Sequence, residues 1–172
     1  MSDAVVVQPR DGLSAPAVGR LIALLLPVAL LGGALGSQYL GGLHPCEMCY
    51  WQRWPHGVAI VLAALAFTGG AESGRSRMFT LLAALAIGVS GAIGVYHAGV
   101  EARVFEGFTQ CTATGKGLSP ADLLKEISHA PIIRCDEVQF RFLGISMAGW
   151  NAICSLGGAA LIAILTIRGR RA

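Results

Sequence analysis

The chain has 172 residues, of which 54% are hydrophobic and 13% are charged, and its mean hydropathy is +0.62. Soluble domains carry about 25% charged residues. The low charge content therefore argues against a soluble globular domain, and also against a disordered chain, which needs low hydrophobicity and high charge. The formal net charge of +3 is small and its basic residues are scattered, which argues against a nucleic-acid-binding protein.

Four stretches of the sequence contain no formal charge, and they are 26, 18, 23 and 26 residues long. A bilayer span needs about 20 predominantly apolar residues, and an open-ended segment satisfies its backbone in lipid only as a helix. We therefore predict an all-α, integral membrane four-helix bundle that forms a single domain over residues 1–172. The predicted spans are 20–41, 53–69, 78–98 and 145–167.

The first span has an alternative interpretation as a cleaved signal peptide, because residues 34–37 (ALGS) loosely resemble a cleavage site. Three further spans follow, and an uncleaved first helix serves equally well as the insertion signal. We therefore keep it as a transmembrane helix. Small residues recur at helical spacing in two spans, and we expect them to let helices approach closely in lipid. They are Gly32, Gly36, Gly88, Gly91 and Gly94.

Four spans put both termini on one side of the membrane. Seven basic residues lie on that side, in the short tails and in the tight turn with Arg75 and Arg77, and six lie on the other side. The positive-inside rule counts short segments most, which predicts cytoplasmic termini and outward-facing loops at about 42–52 and 99–144. The second loop is long for a compact bundle and is therefore expected to be functional. Within it, a Ser-Pro pair at Ser119 predicts the start of a short helix.

Four of the five cysteines fall in these outward-facing loops. Cys46 and Cys49 form a Cys-x-x-Cys motif, and Cys111 and Cys135 lie in the long loop. Two pairs on an oxidising face suggest disulfides rather than reduced thiols. Cys154 lies inside the fourth span, where we expect it to pack as a small hydrophobic residue.

The Cys-x-x-Cys motif is best explained by thiol–disulfide exchange. Tyr50 follows the second cysteine, whereas attachment of a c-type haem needs histidine there. His44 and His56 could complete a zinc site, but the spacing matches no zinc template, so we predict no metal. A structural disulfide in so short a ring would contribute little stability. A dithiol near a helix N-terminus, by contrast, tends to have a lowered thiol pKa and a reactive thiolate.

Arg53 lies at the mouth of an apolar span, about one helical turn after Cys49. An arginine there is costly unless it reaches the interface or has an anionic partner. One interpretation is an interfacial anchor between Trp51 and Trp54 in an aromatic belt. The other is that Arg53 stabilises a thiolate or a reduced oxygen on an electron acceptor, and the adjacent motif favours this second role.

The long loop offers weaker candidates. If Cys111 and Cys135 are bonded, they close a ring of about 25 residues and constrain the loop by a few kcal/mol. They also suggest a relay, because thiol–disulfide exchange can pass electrons through two pairs in series. His97, at the outer end of the third span, is a secondary candidate for proton handling or acceptor contact. Glu101 and Glu106 are expected to be solvated loop charges.

Three segments resemble signatures of the DsbB family, bacterial membrane proteins that generate disulfides. They are residues 46–53 (CEMCYWQR), 96–101 (YHAGVE) and 135–147 (CDEVQFRFLGISM), the last leading to Trp150. The order of features is also similar: a Cys-x-x-Cys after the first span, an arginine four residues on, a cysteine pair in the long loop between the third and fourth spans, and four spans in all. The resemblance covers essentially the whole chain after about residue 20.

The resemblance implies a quinone reductase of the bacterial inner membrane that reoxidises a periplasmic thioredoxin-fold dithiol oxidase, DsbA. Both termini are then cytoplasmic and the redox loops periplasmic. By the family pattern, the thiolate of the partner attacks at Cys111. Cys135 is the pair of Cys111 and can bond transiently with Cys46.

The same resemblance implies the site for the cofactor, ubiquinone or menaquinone. Cys49 faces the quinone, Arg53 contacts its head group, and His97 falls where the family has a histidine near the quinone. Two other classes remain as alternatives. A reductase of the vitamin K epoxide type also uses four helices, but its Cys-x-x-Cys comes late in the chain, which argues against it. A non-enzymatic membrane assembly or metal-handling protein with two structural disulfides is the other.

Overall fold

The computed structural model describes residues 14–107, 119 and 134–168. The described segments form four helices: α1 (Ala15–Tyr39), α2 (Glu47–Ala66), α3 (Gly74–Glu101) and α4 (Met147–Arg168). A short antiparallel hairpin precedes α4 and consists of β1 (Arg141–Phe142) and β2 (Ile145–Ser146). The mostly helical fold is therefore confirmed, with a two-stranded hairpin that the sequence analysis did not predict.

Three of these helices, α1, α3 and α4, are long and apolar enough to cross a membrane. The helix α2 differs, because it begins at Glu47 rather than at residue 53 and carries polar side chains in its first turns. Part of the predicted long loop is helical, since α3 continues to Glu101. Cys111 and most of the short helix predicted from Ser119 lie outside the described residues.

The helix α3 lies at the centre of the bundle and packs chiefly against α2 and α4, while α1 packs against α4 and α2. The core between the helices consists largely of small side chains. It contains Ala23, Ala59, Ala63, Ala83, Ala84, Ile87 and Ile162. Small residues at such contacts allow helix backbones to approach closely when both neighbours and surroundings are apolar.

The glycines divide into two groups. A Cβ atom at Gly94 would lie 3.0 Å from a backbone oxygen and a backbone nitrogen of α4, and one at Gly91 would meet a leucine of α4 at 2.8 Å. The expected close approach is thus present in α3. The prediction of a close approach is wrong for α1, because a Cβ atom at Gly32 or Gly36 would meet nothing within 4 Å among the described residues.

One end of the bundle is basic. Nη1 of Arg20 in α1 donates to the carbonyl oxygens of Gly69 at 2.8 Å and Ala66 at 3.3 Å, and its guanidinium lies 4.2 Å from the ring centroid of Phe67. A cation at this position satisfies the last carbonyl of α2 and one carbonyl of the turn that follows it. The opposite end, which we call the thiol end, contains Cys46, Cys49 and Cys135.

The hairpin returns the chain to the bundle at the thiol end. Its two turn residues, Leu143 and Gly144, have φ values of +52° and +81°, as a tight two-residue hairpin turn requires. Nε1 of Trp150 in α4 donates to the carbonyl oxygen of Phe142 at 2.9 Å. This contact ties the segment that follows Cys135 to the first turn of α4.

Candidate functional site

The Cys-x-x-Cys motif forms the N-terminus of α2. Cys46 is the N-cap residue with extended backbone, and the backbone N–H of Cys49 donates to the carbonyl oxygen of Cys46 at 3.1 Å. The two Sγ atoms lie 3.0 Å apart and both residues are thiols. The motif is therefore at a helix N-terminus, and Cys49 lies within α2 rather than in the loop predicted at about 42–52.

Two residues from distant parts of the sequence lie beside Cys46. The ligand atoms of Cys46, His97 and Cys135 are all within 4.8 Å of one another, and all three residues are buried. Thiol–disulfide exchange requires one sulfur to attack another directly. The proximity of Cys46 to both Cys49 and Cys135 is therefore suited to disulfide exchange among these three sulfurs.

The surroundings of Cys46 keep its thiol protonated. Its thiol lies beside the sulfur atoms of Cys135 and Cys49 in a buried pocket, and these contacts together with burial raise the pKa of Cys46 well above that of an ordinary thiol. The protonated form of Cys46 is favoured as a result. Since the thiolate is the reactive form of cysteine, we infer that Cys49 is the more reactive of the two.

We expect iodoacetamide to alkylate Cys49 faster than Cys46 in the folded, reduced protein at pH 8, by about tenfold or more. The cause is the raised pKa of Cys46 together with its burial, since the residue is only 4% exposed. Quenched samples analysed by peptide mass spectrometry give both rates. In denatured protein the two rates should converge, and equal rates in the folded protein would contradict the assignment.

The imidazole of His97 is oriented by Gln52. Nε2 of Gln52 donates both to the backbone oxygen of Met48 at 3.2 Å and to Nδ1 of His97 at 2.7 Å. The backbone acceptor fixes the orientation of the amide, so Nδ1 of His97 accepts and its Nε2 carries the proton of the neutral ring. That Nε2 lies 3.6 Å from the sulfur of Cys46, where an N–H can stabilise negative charge on the sulfur.

Glu101 corrects a prediction, because it is not a solvated loop charge. It is the last residue of α3, its side chain is only 10% exposed, and its Oε1 lies 3.9 Å from Nε2 of His97. The reason is that α3 extends one turn beyond His97, which brings residues four apart onto the same face. Glu106, by contrast, is exposed as expected.

Arg53 contacts α1. Its Nη1 donates to Oε1 of Gln38 at 2.5 Å and its Nη2 to the carbonyl oxygen of Ala34 at 3.2 Å, while its guanidinium lies 5.2 Å from the ring centroid of Tyr50. A guanidinium has five N–H donors, so these contacts orient the group and leave donors available. The neighbouring Trp54 is largely exposed, which is compatible with an aromatic belt.

A cavity of about 610 Å³ opens beside these groups. Its walls are mostly apolar side chains of α1 and α4, and the segment after Cys135 covers part of it. Four residues of α2 line it at one helical face: Cys49, Gln52, Arg53 and His56. This volume is typical of small-molecule sites, in which apolar walls surround a few polar groups. The cavity suits an apolar carrier with a polar head group.

Sequence reasoning missed a polar cluster at the inner end of this cavity. Its members bond across three helices and are Gln52, His56, Ser90, Asn151 and Ser155. The signal available was the spacing i, i+3, i+4, i+7 from Cys49, which puts polar residues on one face of an otherwise apolar helix.

The remaining candidates lie apart from this cluster or outside the described residues. Cys111 is not among the described residues, and Cys154 is a half-buried thiol of α4, as expected for packing. Among the described residues, the metal-ligand atoms that come together are those of Cys46, His97 and Cys135. The ligand atoms of the zinc site considered from the sequence, which included His44 and His56, therefore do not come together.

The comparisons with known proteins agree on one family. The family model described as "Disulfide bond formation protein DsbB" matches residues 17–165. Several relatives carry the name "Disulfide bond formation protein B". The one from Methylococcus capsulatus is 34% identical over 145 residues, covering 80% of this chain and 85% of its own length.

Two further relatives with this name cover even more of the chain. The Chromohalobacter salexigens protein is 32% identical over 159 residues, covering 85% of this chain and 86% of its own. The Xanthomonas campestris pv. campestris (strain 8004) protein is 29% identical over 162 residues, covering 88% and 91%. No solved structure matches significantly. With a thiol cluster at a helix N-terminus and a family match over most of its length, this chain belongs to the DsbB family of disulfide bond formation proteins.

Proposed function

We propose that this protein passes electrons from a periplasmic thioredoxin-fold dithiol oxidase of the DsbA type, through its two cysteine pairs, to a quinone. One observation carries the proposal: the sulfur of Cys46 lies 3.0 Å from that of Cys49 and beside that of Cys135, while Cys49 also lines an apolar cavity. A single chain thus has one thiol, Cys46, that can exchange with the loop cysteine Cys135, and a second, Cys49, that can reach an apolar acceptor.

The exchange between the pairs balances as a thiol–disulfide reaction. The thiolate of the partner attacks Cys111 in the Cys111–Cys135 disulfide, which forms a mixed disulfide and releases Cys135 as a thiolate. Cys135 attacks Cys46 in the oxidised motif, so that the Cys46–Cys135 bond forms and the Cys46–Cys49 bond breaks. Cys49 leaves as a thiolate. The second thiolate of the partner then breaks the mixed disulfide, which releases the oxidised partner and frees Cys111. Cys111 attacks Cys135 in the Cys46–Cys135 bond, so that the Cys111–Cys135 disulfide forms again and Cys46 and Cys49 remain as the dithiol. The buried neighbours of Cys46 support this order, because they bring the attacked sulfur within reach of both others.

The cavity residues fit a quinone of the ubiquinone or menaquinone class. Cys49 lies at its polar end, and the donors that Arg53 does not use on α1 are suited to a head-group oxygen. Nε2 of His97 lies 3.6 Å from the sulfur of Cys46, where its N–H can stabilise negative charge on the sulfur atoms during exchange. When bound, a quinone would serve as the oxidant. It would accept two electrons and two protons from the dithiol of the motif, so that the Cys46–Cys49 disulfide is regenerated.

We further propose that residues 1–172 form one bacterial inner-membrane domain with four spans, in which α2 crosses among the more apolar helices. The termini and the turn with Arg75 and Arg77 are cytoplasmic, and the thiol end is periplasmic. Large apolar side chains on the outer faces of the helices support a lipid environment. Examples are Leu25, Val61, Leu85 and Ile164.

The cluster of Cys46, His97 and Cys135 also favours a second candidate, a non-enzymatic metal-handling protein. Two thiolates and an imidazole are ligands that Zn²⁺ binds, and their ligand atoms lie within 4.8 Å of one another. In that case the cysteines would bind an ion instead of exchanging disulfides.

One experiment separates the two candidates. Purified protein in detergent is mixed with a short-chain ubiquinone and a reduced DsbA-type partner, samples are acid-quenched and thiol-trapped, and linked peptides are mapped together with the zinc content. We expect quinone-dependent oxidation of the partner, a trapped bond between Cys46 and Cys135, and no stoichiometric zinc. Quinone-independent, unreactive disulfides or one tightly held zinc per chain would overturn the proposed function.

A further inference from the structure

His56 is a buried histidine that uses only one of its two ring nitrogens. It lies in α2, its residue surface is 3% exposed, and its Nε2 is 2.9 Å from Oδ1 of Asn151 and 3.0 Å from Oγ of Ser90. Its Nδ1 is buried and has no hydrogen-bond partner among the residues that the structure describes. Buried polar atoms are normally paired, because an unmade hydrogen bond there costs free energy. A histidine with a purely structural role would be expected to use both nitrogens.

The neighbouring amide decides which nitrogen of His56 carries the proton. Nδ2 of Asn151 donates to the backbone oxygen of Ser90 at 3.1 Å and to Oε1 of Gln52 at 2.7 Å. Oδ1 of Asn151 must therefore accept, so Nε2 of His56 donates to it. In the neutral ring, Nδ1 is left with an unused lone pair that can accept a hydrogen bond.

The ring of His56 is held from three helices. Ser90 of α3 donates to the backbone oxygen of Gln52 at 2.8 Å, which leaves its oxygen to accept from Nε2 of His56. Ser155 of α4 donates to Oδ1 of Asn151 at 2.9 Å. These bonds fix the orientation of the imidazole, so its unpaired nitrogen is preorganised.

His56 lines the same cavity as Cys49 and Arg53. It follows Arg53 by three residues, which puts it about 4.5 Å further along the helix axis and on the same face. The cavity therefore carries polar groups at two depths between apolar walls. A ring with one hydroxyl at each end can donate to the unpaired nitrogen at one depth and accept from Arg53 at the other, whereas an aliphatic chain alone would leave Nδ1 unpaired.

We propose that His56 is the second hydrogen-bonding contact for the two-oxygen head group in its hydroquinone form, with Nδ1 accepting from one hydroxyl and Arg53 donating to the other oxygen. This inference rests on the proposed function and extends it to a residue of the inner part of the cavity. It assigns the polar cluster of α2, α3 and α4 a purpose, which is to fix the imidazole in the cavity wall with Nδ1 unpaired.

The test compares two apolar ligands that differ by one oxygen: a long-chain alkylhydroquinone and the corresponding alkylphenol. Each is titrated anaerobically into the dithiol form of the protein in detergent, and binding is measured from the rise in unfolding temperature. We expect the wild-type protein to bind the hydroquinone about tenfold more tightly than the phenol, as one additional hydrogen bond allows. In His56→Leu this ratio should fall to about one.

Two further variants keep the comparison interpretable. Thr80→Val removes a buried hydroxyl that bonds only within α3, to the backbone oxygen of Ser76 at 2.8 Å, and should retain the wild-type ratio. His56→Gln keeps an N–H toward Asn151 and a second polar atom, so it should fold and recover part of the ratio. If His56→Leu does not fold, the binding ratio is measured in His56→Gln instead.

The outcomes separate this inference from the proposed function. If neither ligand nor a short-chain ubiquinone stabilises the wild-type protein, the proposed quinone site itself fails. If the ligands bind and both His56 variants keep the tenfold preference for the hydroquinone, the quinone site stands and the role of His56 is refuted. A preference lost in His56→Leu and retained in Thr80→Val supports the assignment.

Discussion

Replacing Cys49 with serine is expected to abolish quinone reduction while the helical bundle remains folded. The hydroxyl of serine does not ionise at neutral pH and cannot form a disulfide with Cys46, so no thiolate is available beside the cavity. A loss of about a thousandfold or more is expected, as when an enzyme loses its nucleophile. The decrease in quinone absorbance with a reduced DsbA-type partner measures the rate, and circular dichroism reports the fold.

Cys154→Ser is the matched control for this experiment. Cys154 is a half-buried thiol of α4 that lies apart from the cluster at the thiol end, so its replacement should leave quinone turnover near that of the wild type. In Cys49→Ser, Cys46 still lies beside Cys135. Attack of Cys46 on Cys135 in the Cys111–Cys135 disulfide forms the Cys46–Cys135 bond and releases Cys111 as a thiol, and we expect to trap this bond. Normal turnover in Cys49→Ser would refute the electron path.

The second large effect is expected from Gly94→Leu, which should destabilise the bundle and slow turnover together. A Cβ at this position would lie 3.0 Å from backbone atoms of α4 and 3.1 Å from Nδ2 of Asn151. The larger side chain must push α4 away from α3, at an overpacking cost of about 1–3 kcal/mol in the free energy of unfolding. The same displacement separates Asn151 from Ser90 and Gln52.

Gly32→Leu provides the comparison, since a Cβ there meets nothing within 4 Å in the described part of the chain and leucine is a better helix former than glycine. Unfolding in mixed micelles of increasing SDS content gives both free energies. We expect a loss for Gly94→Leu and no loss for Gly32→Leu. Equal stability of the two variants would show that the close approach of α3 to α4 does not hold the bundle together.

The sequence by itself determined the features that depend on local composition. Charge-free stretches of 23 and 26 residues predict α1, α3 and α4 because helix formation and lipid compatibility depend on residues close in the chain. The sequence placed Cys46 and Cys49 in a loop just before the second span, whereas α2 begins at Glu47 and includes Cys49. The same reasoning misjudged Glu101, because the last turn of α3 depends on its contacts with the thiol end rather than on local hydropathy.

Only the tertiary structure decided what these local features do together. The proximity of Cys46, His97 and Cys135 joins three separate parts of the chain, and no spacing rule connects them. The polar cluster around His56 likewise depends on how α2, α3 and α4 rotate about their axes to bury Asn151 against Ser90. Helix periodicity gives the face on which a residue lies, whereas the neighbour that this face meets is set by the packing of small side chains across the bundle.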